Sequence, residues 1–199
     1  MLKDFKSEIS KGLKDSSRVI GATAKQAALL DRAAHALVAA YRRGNKILTF
    51  GNGGSACDAQ NFADELVGRY CRNRPPLPAV CLTASQADLT SIANDFGYEK
   101  VFERQLEAHA KPGDVAIAIS TSGNSKNVLA AVGAAKKLGV LVIALTGGEG
   151  GKLKGAADLA ITIDSKSTAR IQEAHITVIQ IWCGLIEDSL FPDAPKAHG

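Results

Sequence analysis

Residues 46–66 read KILTFGNGGSACDAQNFADEL. A short apolar run stops at a loop of glycines with Asn52 and Ser55. A helical stretch follows, in which Cys57, Asn61 and Glu65 fall at four-residue steps and so share one face. Strand, glycine loop and helix in that order open an α/β unit whose loop sits at the carboxyl end of a strand. The rhythm recurs where VAIAIS, residues 115–120, runs into STSGNS, residues 120–125.

Three more runs read as strands: PAVCLT at 78–83, VLVIALT at 140–146 and LAITID at 159–164. The runs at 115–120 and 140–146 are apolar almost throughout, as strands buried on both faces of a parallel sheet are. With helical stretches such as 126–138 between them, the five strands predict a three-layer α/β/α sandwich around a five-stranded parallel sheet, flavodoxin-like in kind. Ahead of them, residues 2–43 lack proline and repeat apolar positions such as Leu30, Ala34, Leu37 and Tyr41 at helical spacing. Two helices are expected there, with a break near 21–23 and a stop at Gly44-Asn45. A last helix is expected over 168–190. The whole chain, 1–199, reads as one domain, with residues 1–44 as N-terminal helices used in oligomer packing.

Composition narrows the function classes. The 199 residues are 46% hydrophobic and 22% charged, with a net charge of +4 spread along the chain. A small, dispersed positive charge argues against direct nucleic-acid binding, which wants a clustered basic patch. The longest apolar segment, 176–191, is interrupted by Gln180, Glu187 and Asp188 and predicts no membrane span. The start carries no signal-peptide pattern, so a cytoplasmic location is expected. Cys57, Cys71, Cys81 and Cys183 form no CxxC pair and suggest no disulfide framework. Cys57, Cys81 and Cys183 read as small packed residues.

The two loops carry the chemistry. A helix N-terminus beyond a strand offers free N–H groups and a positive dipole end to an anion, and glycines let the backbone approach it. Ser120, Thr121, Ser122 and Ser125 add four hydroxyls within six residues, which suits a phosphate monoester. Both loops could equally be tight turns with helix caps, but two such loops after two strands favour the anion. GNGGSA lacks the third glycine of a dinucleotide fingerprint, and in GGEGGKLKG Leu153 follows the lysine where a P-loop needs Ser or Thr. That glycine run is expected to be a mobile connection.

In order, GNGGSACDAQNFADELVGRY, SIANDFGYEKVF, AISTSGNSKNVL, ALTGGEGGKL and TARIQEAHI resemble the sedoheptulose-7-phosphate isomerase (phosphoheptose isomerase) family of the sugar isomerase (SIS) fold. The resemblance implies a homotetramer with active sites at subunit interfaces. It implies conversion of sedoheptulose 7-phosphate to glycero-manno-heptose 7-phosphate, which feeds lipopolysaccharide heptose. Carried over by match, Asn52, Gly53, Gly54, Ser55, Asn94 and Asp95 lie against the substrate. Ser120, Thr121, Ser122 and Ser125 hold its phosphate, Arg69 stands near the sugar, Glu65 is the catalytic carboxylate and Gln172 a polar catalytic-site residue. Moving a proton between adjacent carbons through an enediol needs a base, and Glu65 is the natural candidate.

The family's zinc site, of His, Glu, Gln and His, maps to Asn61, Glu65, Gln172 and Gln180. Both histidines are absent, and an amide does not titrate near neutrality. One carboxylate and three amides predict weak zinc binding or none. His175 reads as a capping or interface histidine; His35, His109 and His198 read as surface residues. Two other readings stay open. One is a non-catalytic scaffold like the DnaA-associating relative that promotes replication initiation, which the C-terminal stretch LIEDSLFPDAP resembles. The other is a module that senses a sugar phosphate.

Overall fold

Five parallel strands make one sheet in the computed structural model, which describes residues 5–197. They are β1 (Ile47–Gly51), β2 (Ala79–Cys81), β3 (Val115–Ser120), β4 (Leu141–Gly147) and β5 (Leu159–Ile163), in the order β2-β1-β3-β4-β5. The helices are α1 (Phe5–Thr23), α2 (Ala27–Arg42), α3 (Gly54–Val67), α4 (Gln86–Phe96), α5 (Val101–His109), α6 (Lys126–Lys137), α7 (Gly151–Ala156) and α8 (Thr168–Leu190). The break between α1 and α2 is a 3-10 turn at Ala24–Gln26, just beyond the expected position.

Because successive strand side chains point to opposite faces, the sheet divides the core in two. Ile47, Ile117, Ile143 and Ile161 face a layer of α1, α2, α3 and α8, where Leu37, Phe62 and Trp182 are fully buried. Leu48, Ala116, Val142 and Ala144 face a layer of α5, α6 and α7, with Leu89 and Ile92 of α4 half-buried against it. Each fully buried large side chain contributes roughly 1.5–3 kcal/mol relative to exposure, so both faces of the sheet are well anchored. The result is the expected α/β/α sandwich, with α1 and α2 added to one outer layer.

Several local expectations need correction. The glycine run after β4 is not an open connection. Residues 151–156 form α7, and Gly150 and Gly151 at its start pack backbone to backbone on the serine loop. Cys57 is exposed, because the buried face of α3 runs through Ser55, Asp58, Ala59, Phe62, Ala63 and Leu66 instead. Cys81 is half-buried and Cys183 buried. His175, expected as a capping or interface histidine, lies inside the fold instead. It is wholly buried between α8 and β4, with Nε2 3.1 Å from the Thr146 carbonyl oxygen. His35 and His109 are exposed; His198 lies outside the described residues.

Candidate active site at the strand switch point

The strand order turns about between β1 and β3, which are direct neighbours in register from Ile47↔Val115 to Gly51↔Ile119. Open α/β sheets bind ligands at that switch point, beyond the carboxyl ends of the strands. The loops GNGGS and STSGNS therefore stand side by side, although about seventy residues separate them in the chain. Between them is a cleft of about 300 Å³, lined by Asn52, Gly53, Gly54, Ser55, Ser120, Thr121, Ser125, Thr168 and Gln172. Gly53 enters α3 with φ +56°, a conformation L side chains rarely adopt. A Cβ on Gly54 would collide with the Gln172 amide. Glycine at 54 thus lets α8 lay Gln172 across the mouth of α3.

The cradle is pre-arranged by hydrogen bonds. Ser120 and Ser125 hydroxyls are 3.0 Å apart. Asn52 and Asn127 exchange amide hydrogen bonds of 2.9 and 2.8 Å, and the Tyr98 hydroxyl donates to Asn52 Oδ1 at 3.0 Å. Ser122 is exposed and accepts from the Asn124 N–H. The post-β4 loop braces this turn from behind. Leu153 N–H donates to the Gly123 carbonyl at 2.9 Å, and Cβ atoms on Gly123 or Gly151 would collide with the facing backbone. A second cleft of about 400 Å³ adjoins through Thr121 and Thr168 and adds Ser122, Asn124, Glu149, Ser165 and Lys166.

A second polar group lies farther along the groove between α3 and α8. Gln180 Nε2 donates to Asn61 Oδ1 at 2.7 Å and reaches Glu65 Oε1 at 3.5 Å. Gln172 is not with them: eight residues before Gln180, it sits about 12 Å away along α8. Glu65 is likewise about 16 Å along α3 from Gly54. Arg69 is exposed just past α3. Asn94 and Asp95 are exposed at the end of α4 and bond to each other at 2.8 Å. None of these last three lines the cleft.

Sequence reading missed Asn127, Thr168 and Asp58. Asn127 and Thr168 touch the site only through residues distant in the chain. Asp58 is 8% exposed, and its Oδ2 finds no hydrogen-bond partner among the described residues. Burial pushes its carboxyl up to about 6. Burial also lowers His175 to about 4 despite its bond to Thr146. Asp58 is on the buried face of α3, and His175 is on α8 against β4.

Comparison with known proteins fits this geometry. A family model described as SIS domain matches residues 13–147. The phosphoheptose isomerase of Rhodospirillum rubrum is 51% identical over 158 residues, covering 79% of this chain and 84% of that protein. The chain belongs to the phosphoheptose isomerase family. Two solved structures of the family superpose closely. The phosphoheptose isomerase from Francisella tularensis gives a TM-score of 0.90 at 34% identity, covering 94% of this chain and all of that one. The one from Neisseria gonorrhoeae gives 0.88 at 39%, covering 92% and 99%.

The positions that the resemblance assigns to zinc present one carboxylate and two amides together, with the third amide two turns away. The Gln180 N–H already occupies the oxygens of Asn61 and Glu65. Zinc takes thiolate, imidazole and carboxylate ligands, so this donor set does not fit it.

Proposed function

We propose that this chain is an aldose–ketose isomerase of phosphosugars. It interconverts sedoheptulose 7-phosphate and D-glycero-D-manno-heptose 7-phosphate through an enediol, for heptose and lipopolysaccharide precursors in the cytoplasm. The observation that carries this reading is the paired cradle at the switch point. Ser55, Ser120, Thr121, Ser122 and Ser125, with the N-terminus of α3, receive the phosphate, while Asn52, Gly53, Gly54 and Gln172 bound the sugar. Glu65 takes and returns the carbon-bound proton. Its carboxylate, oriented by Gln180 and with Arg69 nearby, is the one titratable group in the Asn61–Glu65–Gln180 cluster. Asn94 and Asp95, outside the cleft of their own chain, reach the sugar held by a neighbouring copy. No step is assigned to zinc.

Glu65 stands about 16 Å along the helix from the cradle of its own chain. That separation supports active sites assembled between subunits, with the cradle of one copy served by a carboxylate of another. A homotetramer is further supported by the exposed stripe Phe5, Ile9 and Leu13 on α1, each more than 60% exposed, and by Ile181 and Leu185 beside a groove between α2 and α8. Stripes of this kind mark interaction surfaces.

The amide pair Asn61 and Gln180 favours a second reading. A scaffold or sensor that keeps the cradle but has lost titratable groups would bind a sugar phosphate without turnover, and a DnaA-type partner belongs to that reading. An isomerase assay with sedoheptulose 7-phosphate, with and without added zinc, separates the two. Turnover without zinc is expected. Ligand-dependent thermal stabilisation without turnover would establish the binding-only reading.

A further inference from the structure

Residues 68–77, between α3 and β2, are irregular, yet they are fastened by an ion pair that water does not reach. Arg74 and Glu187 side chains, 0% and 1% exposed, meet at 2.9 Å. Glu187, near the end of α8, is saturated with donors. Its Oε1 accepts from Tyr70 N–H and Arg74 Nε at 2.9 Å each, and its Oε2 from Cys71 and Arg72 N–H at 2.8 Å each. Arg74 spends its remaining donors on the end of α3. Nη2 donates to the Glu65 carbonyl at 2.8 Å and Nη1 to the Leu66 carbonyl at 2.7 Å, with Pro75 and Gly68 carbonyls at 3.0 and 3.3 Å.

A helix end leaves carbonyls that need partners, and Arg74 supplies them. Stability alone does not call for a buried charge pair, because apolar replacements often hold a fold as well or better. What sets this pair apart is where it lands. Glu187 is two turns beyond Gln180 on α8, so both face α3. Gln180 touches the Glu65 side chain, and the Arg74–Glu187 pair holds the Glu65 main chain. One helix therefore fixes Glu65 at both ends. The strap that the pair fastens also carries Arg69.

We infer that Arg74 and Glu187 are positioning residues for the isomerisation, locking the last turn of α3 against α8 and so setting where the Glu65 carboxylate stands. This rests on the reading of Glu65 as the base. Misplacing a catalytic group by about 1 Å can cost on the order of 100-fold in rate.

The test compares Arg74→Lys, which keeps the charge but loses the planar fork, with Glu187→Gln and with Arg72→Ala. Arg72 lies in the same strap but bonds Asp188 and the Pro192 and Ala194 carbonyls rather than α3. kcat and KM for sedoheptulose 7-phosphate are measured well below each Tm, and the wild-type and Arg74→Lys crystal structures are compared. Arg74→Lys and Glu187→Gln should lose roughly ten- to a hundredfold in kcat with KM nearly unchanged. Arg72→Ala should lower Tm and keep kcat. In the Arg74→Lys crystal, the Glu65 carboxylate should leave Gln180 while the cradle stays in place. Unchanged kcat in both pair variants, losses tracking Tm alike in all three, or an undisturbed Glu65–Gln180 contact overturns the inference. So does failure of both pair variants to fold, which makes the pair purely structural. A wild-type protein without turnover defeats the isomerase reading and the catalytic role of the pair with it, and the crystal comparison then decides only whether the pair sets where the Glu65 carboxylate stands.

Discussion

The cradle and the α3–α8 groove share one helix and follow different rules. The cradle is made by two short local motifs, strand–loop–helix turns whose glycines and hydroxyls stand at or next to helix N-termini. The groove is made by side chains that meet across 115 to 119 residues of sequence. The cradle keeps the hydroxyls that the family resemblance assigns to the phosphate and the glycines it lays against the substrate. In the groove, amides stand where that resemblance places imidazoles. Binding and proton transfer can therefore fail independently in this molecule, and each can be attacked separately.

The largest expected effect is on chemistry alone. Glu65→Gln should lower kcat by about 10²- to 10⁴-fold, the usual contribution of a general base. Stabilisation by sedoheptulose 7-phosphate in a thermal melt should survive, because the ligand is held by the native cradle. Full turnover in this variant removes Glu65 as the base. Next comes a mixing experiment. If cradle and carboxylate come from different copies, Glu65→Gln subunits combined with Gly54→Ala subunits should regain activity that neither parent has. No recovery in verified mixed oligomers confines each site to one chain.

Restoring ligands probes the groove from the other side. The double variant Asn61→His with Gln180→His offers two imidazoles and a carboxylate, the three-ligand set of a catalytic zinc site. Elemental analysis should find stoichiometric zinc in the double variant and much less in the wild type. Equal zinc in both would refute the donor argument. For the cradle, Gly54→Ala should displace Gln172 and cost about 1–3 kcal/mol of stability, as overpacking does. It should also abolish the ligand-induced Tm shift.

The smallest effect concerns two buried groups. His175 is lowered from 6.5 to about 4, so the unfolded chain binds its proton first and stability falls as pH drops from about 6.5 to 4. Asp58 is raised from 3.8 to about 6, so the folded state holds its proton and stability rises over nearly the same range. Each is worth on the order of 3 kcal/mol and they oppose one another. Asp58→Asn should therefore lose Tm more steeply than wild type on acidification. Parallel curves would mean that Asp58 does not titrate in this window.

Much of this was legible in the sequence because the signals were local. Apolar runs fixed β3, β4 and β5 to within a residue or two, and the proline-free stretches announced α1, α2 and α8. Glycine content misled where tertiary contact decided the conformation. Residues 147–151 look like free linker, yet a Cβ on Gly151 would strike the Ser122 and Gly123 backbone of the serine loop, and one on Gly150 would strike the Lys154 side chain of α7. The helical step through Cys57, Asn61 and Glu65 was read correctly as one face, but not which residues of α3 the sheet would bury. His175 escaped for the same reason.

By itself, the sequence determined the five strands in their chain order, the strand–loop–helix rhythm of the glycine and serine loops, and the family to which the chain belongs. These depend on period, propensity and backbone freedom within a few residues. Only the tertiary structure decided that Gln172 belongs with Gly54 while Gln180 belongs with Glu65, that Asn127 holds Asn52, and that Arg74, held by Glu187, grips the Glu65 main chain. Those partners are chosen by how α8 lies along α3 and by how β1 and β3 come side by side. No local pattern encodes such packing.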